Sequence, residues 1–338
     1  MIKLAVDAMG GDFAPEMIVK GILKALEEDS NLYINLYGDK EKIDQIIEKN
    51  FNDFIKKRIN IINTSFYLQS DIKNIREELR DNPKNSMFLA LQDAKNDEVD
   101  GVVSAGPTQA LVLASFLMIK TIPFAKRIAL APIFNSLTNK KVILIDAGAN
   151  AETEPENLLN FAIYASVAAK ELFQISNPVV KLLNIGIEKG KGRELERKIY
   201  DLLKKDNRII FKGNEETTNI LNTEADVLLS DGFTCNIVLK SYEGSLKNYF
   251  KIIKDIMTEN WFKKIISKLL FAKKLKKIKK KLDSKEIGGA MLLGLNKIVI
   301  KAHGNSDEYA FYKAIVQAKT LIEKKFINKI KNKFKLLK

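Results

Sequence analysis

Cysteine and histidine are almost absent from this 338-residue sequence, which contains one of each. A single cysteine forms no intrachain disulfide, which excludes a secreted disulfide scaffold and favours a reducing compartment. One histidine and one cysteine cannot build a zinc finger or a histidine-rich metal centre, and a Ser-His-Asp triad would have to use His303. The sequence shows no secretory signal, and its longest apolar run is about half of what a membrane-spanning helix needs. We therefore expect a cytoplasmic protein that is at most bound to a membrane surface.

Lysine, by contrast, is abundant, and the formal net charge is +14. Residues 245–283 contain 13 Lys and 3 acidic residues, a net charge of +10, and residues 319–338 contain 8 Lys and 1 acidic residue, a net charge of +7. The other 279 residues therefore carry a net charge of −3. The excess charge is confined to two segments of an otherwise nearly neutral chain.

Both basic segments are amphipathic at helical spacing. The apolar stripe of the first contains Leu246, Phe250, Ile253, Met257 and Trp261, and that of the second contains Phe326, Ile330, Phe334 and Leu337. Such a helix either lies on an anionic membrane surface or covers an ordinary core with a solvated lysine face. Nucleic acid is not expected as a partner, because no nucleic-acid-binding motif accompanies the lysines.

Strands and helices alternate along most of the chain. Strands are predicted over residues 3–7, 32–37, 59–62, 99–104, 128–134, 141–146, 179–185, 208–211, 225–229 and 297–301. Helices are predicted over 15–28, 40–50, 86–96, 110–120, 154–173, 191–205 and 307–325, and the chain after residue 233 reads as mostly helical to about 293. This alternation predicts a three-layer α/β/α, Rossmann-like fold with a mostly parallel sheet. We expect one catalytic domain over residues 1–325, with a basic helical insertion at about 245–283 and a basic tail at 326–338.

Five predicted strands end in polar segments that contain glycine. They are DAMGGDFAP from residue 7, SAGPTQA from 104, DAGAN from 146, SDGFTCN from 230 and KAHGNSD from 301. Glycine lets the backbone approach a ligand closely, and the amides at a following helix start favour an anion. Asn305 is the expected N-cap of the last long helix, with Glu308 three residues on. Because ligands bind outside the carboxyl ends of parallel strands, five such ends on one sheet predict a polar cleft.

Taken together and in this order, the motifs DAMGGDxAP, SAGxTxAL, DAGAN, DGFTxN and GLNxxVIKAHGxSD resemble those of the bacterial phosphate acyltransferases of phospholipid synthesis, the PlsX family. The resemblance implies transfer of the acyl group of acyl-[acyl-carrier protein] to inorganic phosphate. It implies a homodimer with a fold akin to phosphate acetyltransferases and isocitrate/isopropylmalate dehydrogenases. It also implies peripheral contact with the membrane, where a membrane-bound acyltransferase uses the acyl phosphate. We expect neither a cofactor nor a metal.

The sequence departs from the usual family pattern at four positions. Phe13 replaces the usual His, Pro107 and Gln109 replace Asn and Gly, and Cys235 replaces Gly. These positions lie inside the motifs, so altered substrate preference or weak activity stays open.

Phosphate attack on a thioester requires positioning and charge stabilisation rather than a protein nucleophile. Lys301 is the predicted cation beside phosphate or the oxyanion, and the alternative is a strand-end lysine that reaches solvent. His303 either protonates the departing thiolate, hydrogen-bonds phosphate or is a structural histidine. Asn236 and Asn150 either donate hydrogen bonds to substrate or stabilise local turns.

Three carboxylates, those of Asp7, Asp146 and Asp231, would repel phosphate and are expected to orient donors or to cap helices. Cys235 is expected to be a small buried hydrophobe rather than a nucleophile. The remaining candidates for phosphate or substrate binding are Gly10, Gly11, Asp12, Ser104, Gly106, Thr108, Thr234, Asn305 and Ser306.

Three other functions remain open. The first is a phosphate acyltransferase whose acyl donor is a coenzyme A thioester. The second is a nicotinamide-dependent dehydrogenase on a similar fold. The third is a catalytically weak scaffold at the membrane surface.

Overall fold

The computed structural model describes residues 1–50, 53–68, 74–282 and 286–335. The strands are β1 (Ile2–Asp7), β2 (Leu32–Gly38), β3 (Ile59–Asn63), β4 (Gly101–Ser104), β5 (Ala129–Ala131), β6 (Ile133–Asn135), β7 (Lys141–Ile145), β8 (Val179–Asn184), β9 (Ile210–Glu216), β10 (Val227–Leu229), β11 (Ala290–Leu293) and β12 (Ile298–Lys301). The helices are α1 (Glu16–Glu28), α2 (Lys40–Asn50), α3 (Asp53–Lys56), α4 (Ile75–Asp81), α5 (Ser86–Lys95), α6 (Thr108–Met118), α7 (Pro155–Phe173), α8 (Glu194–Lys205), α9 (Gly232–Thr258), α10 (Trp261–Leu270), α11 (Ala272–Leu282), α12 (Glu308–Glu323) and α13 (Phe326–Lys335).

In the part of the chain that the structure describes, the strands form two sheets. One has seven strands in the order β3-β2-β1-β4-β12-β11-β5, and the other has five in the order β6-β7-β10-β8-β9. Most neighbours are parallel, whereas β11 runs antiparallel to β12 and β5, and β6 runs antiparallel to β7. The predicted mostly parallel α/β architecture is therefore confirmed, but the expectation that the five motifs share one sheet is wrong.

The chain changes sheets at Pro132. A single strand was expected over residues 128–134, but β5 joins the larger sheet and β6 joins the smaller one. Pro132 has no amide hydrogen to donate to a sheet, and its carbonyl oxygen accepts a hydrogen bond of 3.0 Å from the Leu144 amide. The strands β6 and β7 pair antiparallel and form a hairpin.

The expectation of a mostly helical chain after residue 233 is confirmed over α9, α10 and α11, but its end is wrong, because residues 290–293 form β11. Met291, Leu292 and Leu293 are almost completely buried, and a short apolar run of this kind has no periodicity that separates a buried strand from a helix. The central strands β4 and β12 are buried along their whole length, which is why they read as continuous apolar runs.

The two basic segments have different environments. In α10 all apolar side chains are exposed, and Trp261 (70%) and Leu269 (80%) are among the most exposed. In α13, by contrast, the stripe of Phe326, Ile330 and Phe334 is buried. The tail stripe is therefore core packing, and the membrane interpretation of that stripe is wrong for these three residues.

Two predicted positions of the basic segments, Asp283 and Leu337, lie outside the described residues. Among the helices that are described, none is both long and apolar enough to cross a membrane.

Candidate functional site

Three adjacent parallel strands of the larger sheet end side by side in polar residues. The register pairs Asp7 of β1 with Ser104 of β4, and Ser104 with Lys301 of β12. The chain turns from these strands into α1, α6 and α12, and the amide-rich N-termini of these helices lie on the same side of the sheet. This group of loops is called the first cluster below.

Asp7 is buried in the first cluster and orients its neighbours. Its carboxylate oxygens accept hydrogen bonds of 2.7 Å from the hydroxyls of Ser86 and Ser104, and one of 3.1 Å from the Met9 amide. Burial raises the pKa of the Asp7 carboxyl, and these hydrogen bonds oppose the rise. The Ser104 hydroxyl also accepts a hydrogen bond of 3.0 Å from the Gly106 amide. Asp7 therefore has the orienting contacts that were expected of it.

Lys301 is also buried, with 8% of its surface exposed. Its ammonium donates a hydrogen bond of 3.4 Å to the Ala105 carbonyl oxygen and another to that of Ala302. Burial lowers the pKa of Lys301 to about 8, and the negative charges of Asp7 and Asp12 oppose that effect. The alternative of a lysine that reaches solvent is therefore wrong.

The glycines of the first cluster allow close backbone contact. A Cβ atom on Gly10 would lie 2.5 Å from both Oδ2 of Asp7 and the amide nitrogen of Gly106. Gly11 has φ of +104°, and a Cβ there would lie 2.9 Å from the Gly304 carbonyl oxygen. The Asp12 amide donates a hydrogen bond of 2.8 Å to that same oxygen. Only glycine fits these positions without a shift of backbone.

His303 is exposed at the edge of the first cluster. Its Nδ1 accepts a hydrogen bond of 3.4 Å from the Asn305 amide, which favours the tautomer with hydrogen on Nε2. The N-cap of α12 is Asp307, which accepts from the Ala310 amide at 2.9 Å, so the expected cap at Asn305 is wrong. Ser306 is buried and its amide donates to the His303 carbonyl oxygen at 3.0 Å.

Two remaining candidates of the first cluster are more open. Thr108 is half-buried at the first position of α6, and Asp12 is exposed. Of the substituted family positions, Phe13 and Gln109 are exposed and Pro107 is half-buried. These three substitutions of the first cluster thus lie at the accessible side of its loops, unlike Cys235.

The second cluster lies at the carboxyl ends of β7 and β10 in the smaller sheet, and Asp146 is its buried centre. One carboxylate oxygen of Asp146 accepts from the amides of Leu130, Gly148 and Ala149 at 2.9, 3.2 and 2.9 Å. The other accepts from the backbone and side-chain amides of Asn150, both at 2.7 Å. Burial raises the pKa of Asp146, and these hydrogen bonds oppose the rise. The carboxylate therefore organises the loop, as expected.

The two candidate asparagines differ. Asn150 uses its side-chain amide on the Ile128 carbonyl oxygen, at 2.7 Å, as well as on Asp146, which is the local turn bonding considered for it. Asn236 is half-buried on the second turn of α9, and its Nδ2 would lie 3.2 Å from a Cβ on Gly148. Among the described residues, Asn236 is the better placed of the two to donate to a substrate.

Arg193 is a charged residue of the second cluster that the sequence analysis missed. Its Nη2 pairs with Asp231 and with Glu196, each at 2.5 Å, and lies 3.5 Å from the Thr234 hydroxyl. Asp231 caps α9 by accepting from the Thr234 amide at 2.7 Å. The hydrogen bond with Glu196 is the largest cause that raises the pKa of Arg193 above its ordinary value, and the pair with Asp231 raises it as well. The glycines of the preceding Gly190-Lys191-Gly192 indicate a turn before Arg193, but they do not indicate its partners.

Cys235 is completely buried on α9, with Sγ 3.6 Å from the Ile145 carbonyl oxygen. Burial and the negative charges of Asp146 and Asp231 raise the pKa of its thiol well above the ordinary value. A buried thiol in this state is a poor nucleophile. The two clusters thus supply backbone amides, one buried cation and side-chain donors, which suits binding and charge stabilisation rather than covalent catalysis.

Comparisons with known proteins concern the whole chain rather than single site residues. A family model described as fatty acid synthesis protein matches residues 2–329. A phosphate acyltransferase of Aster yellows witches'-broom phytoplasma is 54% identical over 338 residues, covering 100% of this chain and 93% of the relative. One from Acholeplasma laidlawii is 42% identical over 333 residues, covering 98% of each.

Among solved structures, a phosphotransacetylase from Streptococcus pyogenes has a TM-score of 0.62 at 17% identity, over 96% of this chain and 94% of that one. A branched-chain phosphotransacylase from Enterococcus faecalis has a TM-score of 0.59 at 12% identity, over 95% and 99%. These two similarities concern the fold. The sequence similarity over the whole length shows more, and the chain belongs to the phosphate acyltransferase family.

Proposed function

We propose that this phosphate acyltransferase takes its acyl group from an acyl-[acyl-carrier protein] thioester. An oxygen of hydrogen phosphate attacks the thioester carbonyl carbon, the carbon–sulfur bond breaks, and the phosphate proton is transferred to the departing thiolate. The products are acyl phosphate and the free thiol of the carrier protein. The observation that carries the proposal is the buried ammonium of Lys301 at the meeting point of three strand ends.

Phosphate binds in the first cluster under this proposal. Two of the three ammonium hydrogens of Lys301 are directed at carbonyl oxygens, which leaves one for a phosphate oxygen. Gly11 and Gly106 let the backbone approach closely, and the N-termini of α1, α6 and α12 favour an anion. A cation of low solvent exposure also interacts more strongly with phosphate than an exposed lysine does.

His303 is the proposed hydrogen-bond donor that stabilises the departing thiolate, whose proton comes from the attacking hydrogen phosphate. The hydrogen bond that its Nδ1 accepts from Asn305 leaves Nε2–H directed away from its own loop. Replacement by alanine removes this hydrogen bond to the departing thiolate, so His303→Ala should lower kcat more than it changes KM for phosphate. Equal effects on both would instead indicate that His303 binds phosphate.

The second cluster is the proposed site for the thioester carbonyl. Asn236 donates from α9 beside Gly148, and Thr234 lies on the first turn of the same helix. Arg193, Asp231 and Asp146 hold the two loops in place without contacting substrate.

The basic segment of residues 245–283, which includes the second half of α9 and all of α10 and α11, is the proposed docking region. Its +10 charge suits an acidic carrier protein, and the exposed Trp261, Phe262 and Leu269 among the lysines of α10 suit an anionic membrane surface. Trp261→Ser with Phe262→Ser should release the protein from anionic liposomes without loss of activity in solution. Unchanged sedimentation with liposomes would remove α10 from the membrane proposal.

Three further properties are proposed from the resemblance. The protein is a cytoplasmic homodimer that contacts the membrane peripherally, and a membrane-bound acyltransferase consumes its product. The catalytic domain spans residues 1–325, and 245–283 forms its insertion. Sedimentation equilibrium tests the dimer.

The decisive experiment is acyl-phosphate formation by the pure protein, with acyl-[acyl-carrier protein] and acyl-coenzyme A compared at equal concentration. Activity with the carrier-protein thioester supports the proposal, and activity with only the coenzyme A thioester overturns it. No activity with either donor, with liposome binding intact, would favour the scaffold. Tight binding of nicotinamide dinucleotide would favour the dehydrogenase.

A further inference from the structure

Four exposed apolar side chains lie at the carboxyl edge of the smaller sheet. Ile185 (81% exposed) and Ile187 (68%) follow β8, and Phe233 (61%) and Ile237 (50%) are on the first turns of α9. They are called the apolar rim. Isolated exposed apolar residues are common, but several together next to a polar site mark a binding surface.

The strand register places the two halves of the apolar rim after neighbouring strands. Parallel pairing aligns Leu182 of β8 with Leu229 of β10, so both strands end at the same edge, and the segments that carry Ile185 and Phe233 start from adjacent strand ends. Phe233 and Ile237 are four residues apart on α9 and therefore share one face of the helix.

The loop that carries Ile185 and Ile187 is held by polar contacts. The side-chain amide of Asn184 donates to the Lys191 carbonyl oxygen at 3.1 Å, and the side-chain amide of Asn214 donates to that of Glu188 at 2.7 Å. Arg193, where this loop ends, is paired with Asp231 at the start of α9. The apolar rim is therefore a fixed part of the edge rather than a frayed loop.

The apolar rim begins beside the proposed carbonyl site. Phe233 stands between Asp231 and Thr234 in sequence, and Ile237 follows Asn236. A thioester whose carbonyl oxygen accepts from Asn236 would therefore have its alkyl chain within one helical turn of apolar side chains.

We infer that the apolar rim is the subsite for the saturated hydrocarbon chain of the acyl group, beyond the thioester carbon. The inference rests on the proposed function and adds the location and chemistry of chain recognition. A hydrocarbon chain fits the rim better than a second protein does, because a stable interface takes roughly 20–30 residues a side and an alkyl chain needs only a narrow strip. The rim sets chain-length preference, because each methylene that it covers adds to binding.

The test compares palmitoyl and butyryl thioesters of the carrier protein. Ile185→Ser with Ile187→Ser should lower the palmitoyl-to-butyryl ratio of kcat/KM on the order of tenfold, which is what the loss of about two buried methylene groups gives. The matched control is Leu137→Ser, which replaces an exposed leucine (43%) in the loop between β6 and β7, at the opposite edge of the sheet. The control should keep the wild-type ratio.

A second measurement separates this inference from the choice of donor. Calorimetry of palmitoyl phosphonate, a stable analogue of acyl phosphate, should show weaker binding to the double variant than to wild type and the control. That result supports the rim even if the carrier-protein thioester proves inactive. Equal phosphonate affinity in wild type and double variant overturns the inference, as does an unchanged kcat/KM ratio in an active enzyme. A lower ratio in Phe13→Ser but not in the double variant would place the chain at the larger sheet instead and would also overturn it.

Discussion

Replacing Lys301 by methionine should make the protein more stable and less active. Methionine is unbranched and similar in length, so it fills the same space without the charge. Burial lowers the pKa of Lys301 from 10.5 to about 8, and at about 1.4 kcal/mol per pKa unit this shift corresponds to roughly 3 kcal/mol. At neutral pH the ionisation of Lys301 therefore costs the wild type about 3 kcal/mol of folding free energy. Lys301→Met removes that cost but also removes the hydrogen bonds to the Ala105 and Ala302 carbonyl oxygens, at about 1 kcal/mol each, so the net gain is on the order of 1 kcal/mol.

The sign of the pH dependence follows from the same shift. Below pH 8 the lysine is protonated in both the folded and the unfolded state, and the wild type carries the full cost. Between pH 8 and 10.5 the folded state releases its proton first, so the wild type gains stability relative to Lys301→Met as the pH rises. Above 10.5 both states are neutral, so the ionisation of Lys301 no longer contributes to the difference between the two proteins.

Urea unfolding followed by circular dichroism, from pH 7 to pH 9.5, measures this difference. Lys212→Met is the matched control, because Lys212 is an exposed lysine on β9 and its loss changes the net charge equally. The phosphate-dependent rate of Lys301→Met should fall by about 10²–10³-fold, the usual cost of removing one charge-stabilising donor. If Lys301→Met and Lys212→Met have the same stability at pH 7 and the same pH dependence, the ammonium is not desolvated and the reasoning is refuted.

Substitutions at Gly10, Cys235 and Arg193 test the two clusters. Gly10→Ala should abolish most activity in the acyl-phosphate assay, because its Cβ would overlap Asp7 and the Gly106 amide. Its control is Gly190→Ala, whose Cβ would have nothing within 4 Å and which should match wild type. Cys235→Ala should keep full activity. The buried thiol of the wild type should react with thiol reagents only in urea, and the variant, which has no thiol, should not react under either condition. An inactive, folded variant would restore a covalent mechanism. Arg193→Ala leaves two carboxylates without their cation and should lower the free energy of unfolding by about 1–2 kcal/mol, discounted because the arginine is half exposed, and Arg193→Lys should recover part of it. An unchanged urea midpoint for Arg193→Ala would show that the pairs with Glu196 and Asp231 contribute nothing.

The positions of the strand ends could be predicted because they depend on short-range patterns. An apolar run followed by Asp, Ser or Lys and glycine marks the end of a buried parallel strand, and β–α connections place such ends on one side of a sheet. Asp7, Ser104 and Lys301 follow this pattern, and they lie in register. The orienting contacts of the three aspartates were also predictable, since a carboxylate beside phosphate would be repelled.

Other features depend on contacts between distant residues and leave little local trace. The pairing of Arg193 with Asp231 joins positions 38 residues apart, and no spacing rule predicts it. The division into two sheets depends on which partner each strand finds after Pro132. The helix cap illustrates a limit of another kind, because Asn305 and Asp307 are both good N-caps two residues apart, and helix ends are uncertain by that much. Burial of the tail stripe was likewise undecided, since an amphipathic basic helix looks the same over a core and over a membrane.

The strand order has a consequence for synthesis on the ribosome. In the larger sheet, β5 reaches β4 only through β11 and β12, which the ribosome makes more than 150 residues later. Until then the nascent chain holds β3-β2-β1-β4 and β5 without the two strands that join them, and the edge of β4 is unpaired. The ring of Tyr164 also lacks its contact with Phe334, which is made last. Pairings so distant in sequence form slowly, and uncovered strand edges are prone to association. Newly made chains should therefore depend on chaperones until the last strands are released from the exit tunnel.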